Sequence, residues 1–339
     1  MIRIILAALM LVASSAAAQT PPHPLVIAHR GASGERPEHT RAAYELAIDQ
    51  GADVIEPDLV ISKDGQLIVR HENEISGTTN VADHPEFADR RTTRTIDGVS
   101  TTGWFTEDFT LAELQTLRAR ERLPTLRPGN TAFADETILT FQAVVDIARA
   151  ATARTGRTIG VAPELKHPTY FAAIGLPLEP PFLEALRTNA LMAADSPIMV
   201  QCFEIECLRT LNAQTDAPLV QLMSLSDGPA DHPERTYAAM ATPEGLAEIA
   251  TYADAIGVET AMILPRTPQG TAGTPTTLVV DAHAAGLKVV AWTFRAEDVF
   301  VPIDYRGDLT GWIRRFYALG VDAVFSDFPG VAVAARTAP

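Results

Sequence analysis

The chain has 339 residues, and 27 Lys plus Arg against 42 Asp plus Glu leave a formal charge of −15. With 47% apolar and 20% charged residues it reads as neither a disordered polyanion nor a membrane protein, and it is long enough for two average domains or one barrel-sized one. The acid excess argues against a general nucleic-acid binder, which needs a basic surface to displace counterions from phosphates, but leaves room for a small anion in a locally positive site.

In chain order, residues 1–20 (MIRIILAALMLVASSAAAQT) come first. A basic start, an apolar run and a small-residue tail predict a signal peptide over 1–18, cut between Ala18 and Gln19, and hence an exported, periplasmic or secreted protein. No later apolar stretch reaches the roughly 20 residues of a membrane span, so no stable membrane anchor is expected. Buried strands are predicted at LVIAHR (25–30), ADVIEPD (52–58), TIGVAPELK (158–166), IMVQCF (198–203), PLVQLM (218–223), ADAIGVE (253–259), KVVAWTF (288–294) and VDAVFSD (321–327). Helical periodicity falls between them, for example over 39–50, 141–154 and 276–285, and Gly51, Gly156, Gly286 and Gly320 stand where helix C-terminal glycines belong. Eight β-then-α units predict an α/β fold of the (β/α)8 barrel type, with a doubly wound open sheet as the alternative.

Two segments depart from that rhythm. Residues 59–72 alternate about Lys63-Asp64-Gly65 and predict a hairpin that extends the second strand. Residues 73–136 carry no strand-like run and are expected to form an inserted subdomain, either a pocket wall or lid, or a decorative unit. The mature chain, 19–339, is then one barrel domain with one insertion. Cys202 and Cys207 are the only cysteines and are expected as two half-buried thiols.

In such a barrel the reactive side chains stand at the C-terminal ends of strands. Those ends supply His29 and Arg30, Glu56 and Asp58, His71 after the hairpin, Glu164 and Lys166, Gln201, Trp292 and Asp327. Glu56, Asp58 and Glu164 form an all-oxygen set that repels itself unless protons or a cation intervene, and it suits Ca²⁺ or Mg²⁺ better than zinc. His29 and His71 are the natural acid/base pair. Arg30 offers a planar fork for phosphate oxygens, and Lys166 is one of only three lysines, with Lys63 and Lys288. Trp292 is read as a pocket wall, Asp327 as support for the site or anchor of the last loop, and Glu38 as a support for Arg30 or for a hydroxyl. His39 is assigned to loop packing and capping, and His23, His84, His167, His232 and His283 to ordinary structural roles. No G-x-S-x-G elbow, P-loop or H-E-x-x-H motif is present.

AHRGASGERPEHT followed by GADVIEPDLVISKDGQLIVRHE resembles the glycerophosphodiester phosphodiesterase family, with its H-R-G…P-E-N/H-T…E-x-D-V…T-x-D-G…V-x-x-H-D pattern. PELK, VQCFE, VAWTF and GVDAVFSDFP resemble the family's remaining strand ends, and the insertion resembles the exported bacterial type. The resemblance implies a TIM barrel that hydrolyses glycerophosphodiesters, such as glycerophosphocholine, to glycerol 3-phosphate and an alcohol. It implies a divalent ion, usually calcium, on Glu56, Asp58 and Glu164, acid/base roles for His29 and His71, and a phosphate grip from Arg30 and Lys166. Leu59, Ser62 and Glu72 depart from the pattern, and Glu72 is expected to alter a hydrogen bond to the glycerol. Two rivals are a phospholipase C/D-like barrel acting on intact lipids and an exported protein that binds phosphodiesters without cleaving them.

Overall fold

A computed structural model describes residues 23–337, so the expected leader at 1–18 lies outside the described part. Eight parallel strand positions curl into a barrel with helices outside. They begin with β1 (Leu25–His29), then β2 (Val54–Glu56) continuing into β3 (Asp58–Ile61), which folds back as β4 (Leu67–Val69). After an outlying hairpin, β5 (Thr92–Ile96) and β6 (Val99–Gly103), the barrel resumes with β7 (Gly160–Val161) and β8 (Glu164–Leu165). It finishes with β9 (Val200–Cys202), β10 (Leu219–Met223), β11 (Ala255–Glu259), β12 (Lys288–Phe294) and β13 (Ala323–Ser326). β13 pairs with β1 in parallel, and a bridge from Val161 to Ile198 joins β7 to the segment leading into β9, closing the ring.

Two of the predicted strands are each broken at a proline, Pro57 and Pro163. Proline has no N–H for the ladder, so pairing stops and restarts. The halves still keep register. The Glu164 N–H donates to the Pro57 carbonyl at 3.0 Å, and the Lys166 N–H to the Leu59 carbonyl at 3.0 Å. These breaks fall beside Glu56, Asp58 and Glu164, and so decide where three carboxylates end up.

Inside the ring, Ile27, Val54, Ala162, Val290, Ala323 and Phe325 form a small apolar plug. Alternation sends neighbouring residues outward into the larger core between strands and helices. Cys202 is one of these, and it and Cys207 are free thiols 0% and 2% exposed, buried outright and not half-buried as expected.

The 59–72 hairpin forms as predicted, turning at Gly65 with φ +77°. The reading of 73–136 as strand-free is corrected by β5 and β6, which pair antiparallel across Asp97-Gly98. Their alternation is of threonines, largely exposed on both faces, so no apolar run marks them. The Asp-Gly turn and β-branched composition carry the signal instead.

Candidate active site

The site begins with a tight turn at the end of β1. Arg30 sits at φ +57° and Gly31 at φ +85°, and a Cβ on Gly31 would lie 2.7 Å from the backbone of Ala43. Only glycine fits there. The turn aims the Arg30 N–H at Glu56 Oε2, 2.6 Å away, and sets its guanidinium 3.2 Å from Glu38 and 3.3 Å from Asp58. Burial opposes the arginine's charge, but Glu38 and Asp58 more than offset it and its pKa is raised.

At the barrel mouth a cavity is lined by residues that include His29, Arg30, Glu56, His71, Glu164, Gln201, Phe203, Trp292 and Arg295. Asp58 and Lys166 stand directly behind this lining. His29, Arg30, Glu56, His71, Glu164, Gln201 and Trp292 thus share one cavity, with Asp58 against Arg30 and Lys166 against Glu164. Gln201 is pinned by donating to the Ala162 carbonyl at 2.8 Å, and Trp292 packs edge-on against Phe203 with its buried indole N–H unpartnered.

Both histidines are held in the same way. His29 Nδ1 is 2.6 Å from Asp327 Oδ1, and His71 Nδ1 is 2.5 Å from Glu72 Oε1. A carboxylate fixes the proton on Nδ1, which leaves Nε2 as the working nitrogen. For His71, Nε2 lies 3.3 Å from Lys166 Nζ, which itself donates to Glu164 at 2.7 Å. Burial, followed by the charge of Arg30, lowers His29 to about 4 and His71 to about 3, so both rings are neutral at pH 7. Asp327 is the reverse case. Burial would raise its carboxyl, but His29, Arg295 and Arg127 hold it far below the usual range.

Glu56, Asp58 and Glu164 are all buried and each offers an oxygen within 4.8 Å of the others. Burial and the charge of Asp58 push Glu56 up, and burial lifts Glu164 to about 8. Asp58 stays ionised, since His71, His39 and Arg30 outweigh its burial, yet its Oδ1 is buried without a hydrogen-bond partner. A buried carboxylate oxygen with no donor, in an all-oxygen group, fits a hard divalent cation.

Several roles differ from the sequence reading. Thr40 alone caps the helix Arg41–Asp49, accepting from the Ala43 N–H. His39, fully buried at φ +59°, instead sets its Nε2 2.9 Å from Asp58 Oδ2 and its Nδ1 2.9 Å from the Tyr44 hydroxyl. Glu72 does not line the cavity; it holds His71 and Arg122. Glu38 does support Arg30, but Arg122 also binds it. Arg122, Arg127 and Arg295 were missed. Arg295 closely follows a strand-end tryptophan and was findable by position, whereas nothing local marks the other two. His84, His167, His232 and His283 sit against carboxylates away from the cavity.

Residues 29–331 match the glycerophosphoryl diester phosphodiesterase family. A glycerophosphodiester phosphodiesterase of Arabidopsis thaliana is 36% identical over 324 residues, covering 91% of this chain and 84% of the relative. One from Haemophilus influenzae is 27% identical over 339 residues, covering 91% and 88%. Among solved structures, a glycerophosphodiester phosphodiesterase from Agrobacterium tumefaciens superposes with a TM-score of 0.58 at 20% identity, covering 92% of this chain and 99% of its own. An Oleispira antarctica phosphodiesterase in complex with its product sn-glycerol-3-phosphate gives 0.63 at 22% identity, covering 93% and 98%. At such identities the two structures speak to the fold, the TIM barrel expected from the strand pattern.

Proposed function

The chain belongs to the glycerophosphoryl diester phosphodiesterase family, and from that premise we propose that it is a metal-dependent enzyme cleaving glycerophosphodiesters to glycerol 3-phosphate and an alcohol. Deacylated phospholipids such as glycerophosphocholine and glycerophosphoethanolamine are the substrate class. The product bound by the Oleispira relative supports that class. The observation that carries the reading is the pair of carboxylate-held imidazoles, His29 and His71, on one cavity with Arg30 and the buried carboxylate trio.

Arg30 and Lys166 meet the phosphodiester oxygens, and Gln201 and Trp292 shape the cavity around the substrate. Glu56, Asp58 and Glu164 would hold the divalent ion, Ca²⁺ before Mg²⁺, which when bound would supply positive charge against the phosphodiester. One neutral imidazole takes a proton at Nε2 from the attacking oxygen, whether water or the glycerol 2-hydroxyl. The other delivers a proton to the departing alcohol. The anionic substrate itself favours imidazolium, lifting a ring held at about 3 or 4 toward the working pH. The leader-like residues 1–20 support an exported location, as in the bacterial exported type.

Glycerol 3-phosphate release from glycerophosphocholine, followed by mass spectrometry, tests the reading. Chelation is expected to abolish release and added Ca²⁺ to restore it. No release under any metal would overturn the activity, and full release after exhaustive chelation would overturn the metal.

A further inference from the structure

The segment between β6 and the helix Phe141–Thr155 sends two arginines back to the barrel, five residues apart. Arg122 makes two forks: Nε and Nη2 to Glu38 at 2.7 Å each, and Nη1 and Nη2 to Glu72 at 2.9 and 2.6 Å. Arg127, whose side chain is 6% exposed, donates to Asp327 Oδ2 at 2.6 Å, to Glu297 at 2.6 Å and to the Ser33 carbonyl at 2.9 Å. Neither lines the cavity. Yet two of the four carboxylates they grip, Glu72 and Asp327, are the ones that hold the histidine rings.

We propose that Arg122 and Arg127 are positioning residues, each fixing one histidine through one carboxylate: Arg122 through Glu72 to His71, and Arg127 through Asp327 to His29. The excursion is then part of the catalytic apparatus rather than decoration. The planar guanidinium of Arg122 holds both oxygens of Glu72 and so sets that carboxylate's rotation as well as its place, while Arg127 holds Asp327 Oδ2 and leaves Oδ1 to His29. Glu72 needs this most, because its long side chain is 37% exposed and free to turn without Arg122. Asp327 is also held by Arg295 at 3.1 Å, so Arg127 shares that task. Through Glu38, Arg122 further steadies Arg30.

The inference rests on His29 and His71 being the acid/base pair, so His71→Ala is measured beside the arginine variants. Arg122→Ala and Arg127→Ala are each expected to lower kcat by about 10- to 100-fold, the usual cost of losing an outer support, with KM within about threefold. Guanidinium added to Arg122→Ala is expected to restore much of the lost kcat. Arg127→Ala placed on Asp327→Asn should cost less than about a further threefold, because both act along one path. Where Arg127→Ala fails to fold, Arg127→Lys replaces it and is expected to retain part of the rate. An unchanged kcat, a loss confined to KM, or full additivity with Asp327→Asn would overturn the positioning role. Near-normal turnover by His71→Ala would instead overturn the acid/base reading beneath it.

Discussion

The two histidines occupy unlike regions of one cavity. His29 belongs to the barrel's rear wall: its ring is 12% exposed and its partner Asp327 only 3%, with Arg127 and Arg295 fastening that carboxylate. His71 stands on the hairpin side at 28%, and Glu72 beside it is 37% exposed with Arg122 as its one arginine. The wall site is fixed by burial together with two arginines, whereas the hairpin site is fixed by a single guanidinium. A buried carboxylate has few places to go, so its identity matters more than its support; at the exposed one the order is reversed.

The largest effect that tests this contrast is Asp327→Asn. The amide keeps the shape but no longer favours the Nδ1–H tautomer, and kcat of the folded variant is expected to fall by about 100-fold or more, with a lowered thermal midpoint because Arg127 and Arg295 lose a charged partner. Glu72→Gln should cost about tenfold, because water can replace part of its contact with His71. Equal losses in the two variants would erase the distinction between wall and hairpin. The smallest effect is on stability. A free imidazole takes its proton near ~6.5, while His29 in the fold waits until about 4. Between those values the unfolded chain binds more protons, so this residue makes stability fall as pH drops through the window. His29→Gln cannot titrate and is expected to lose less stability than wild type from pH 7 to 5, read as urea midpoints at fixed calcium. Parallel decline of the two would remove the claim that the ring is held neutral.

The sequence made the barrel legible because its buried parallel strands are continuous apolar runs ended by charged residues. The same logic placed His29, Glu56, Asp58, His71, Glu164 and Lys166 at one mouth. Periodicity could not show that Pro57 and Pro163 divide their strands, nor find a threonine hairpin with both faces wet. The bond from His39 to Asp58 was hidden because its neighbour Thr40 has an obvious local duty, while Asp58 lies 19 positions on. Arg122 and Arg127 were invisible for a stronger version of that reason. Their partners are 50 and 200 positions away, and no local pattern carries a contact that only the closed barrel makes.

The scarcity of lysine has a practical side. Lys166 is buried, tied to Glu164, and charged more firmly than a free amine, so it is a poor target for acylating reagents. Lys63 and Lys288 are exposed, one at the hairpin turn beyond the mouth and the other where β12 begins at the opposite end. Among the lysines, amine-directed dyes therefore reach the two at the poles of the barrel and spare the one at its centre. A donor and acceptor at Lys63 and Lys288 would form a ruler along the barrel axis, reporting whether the hairpin moves when substrate enters.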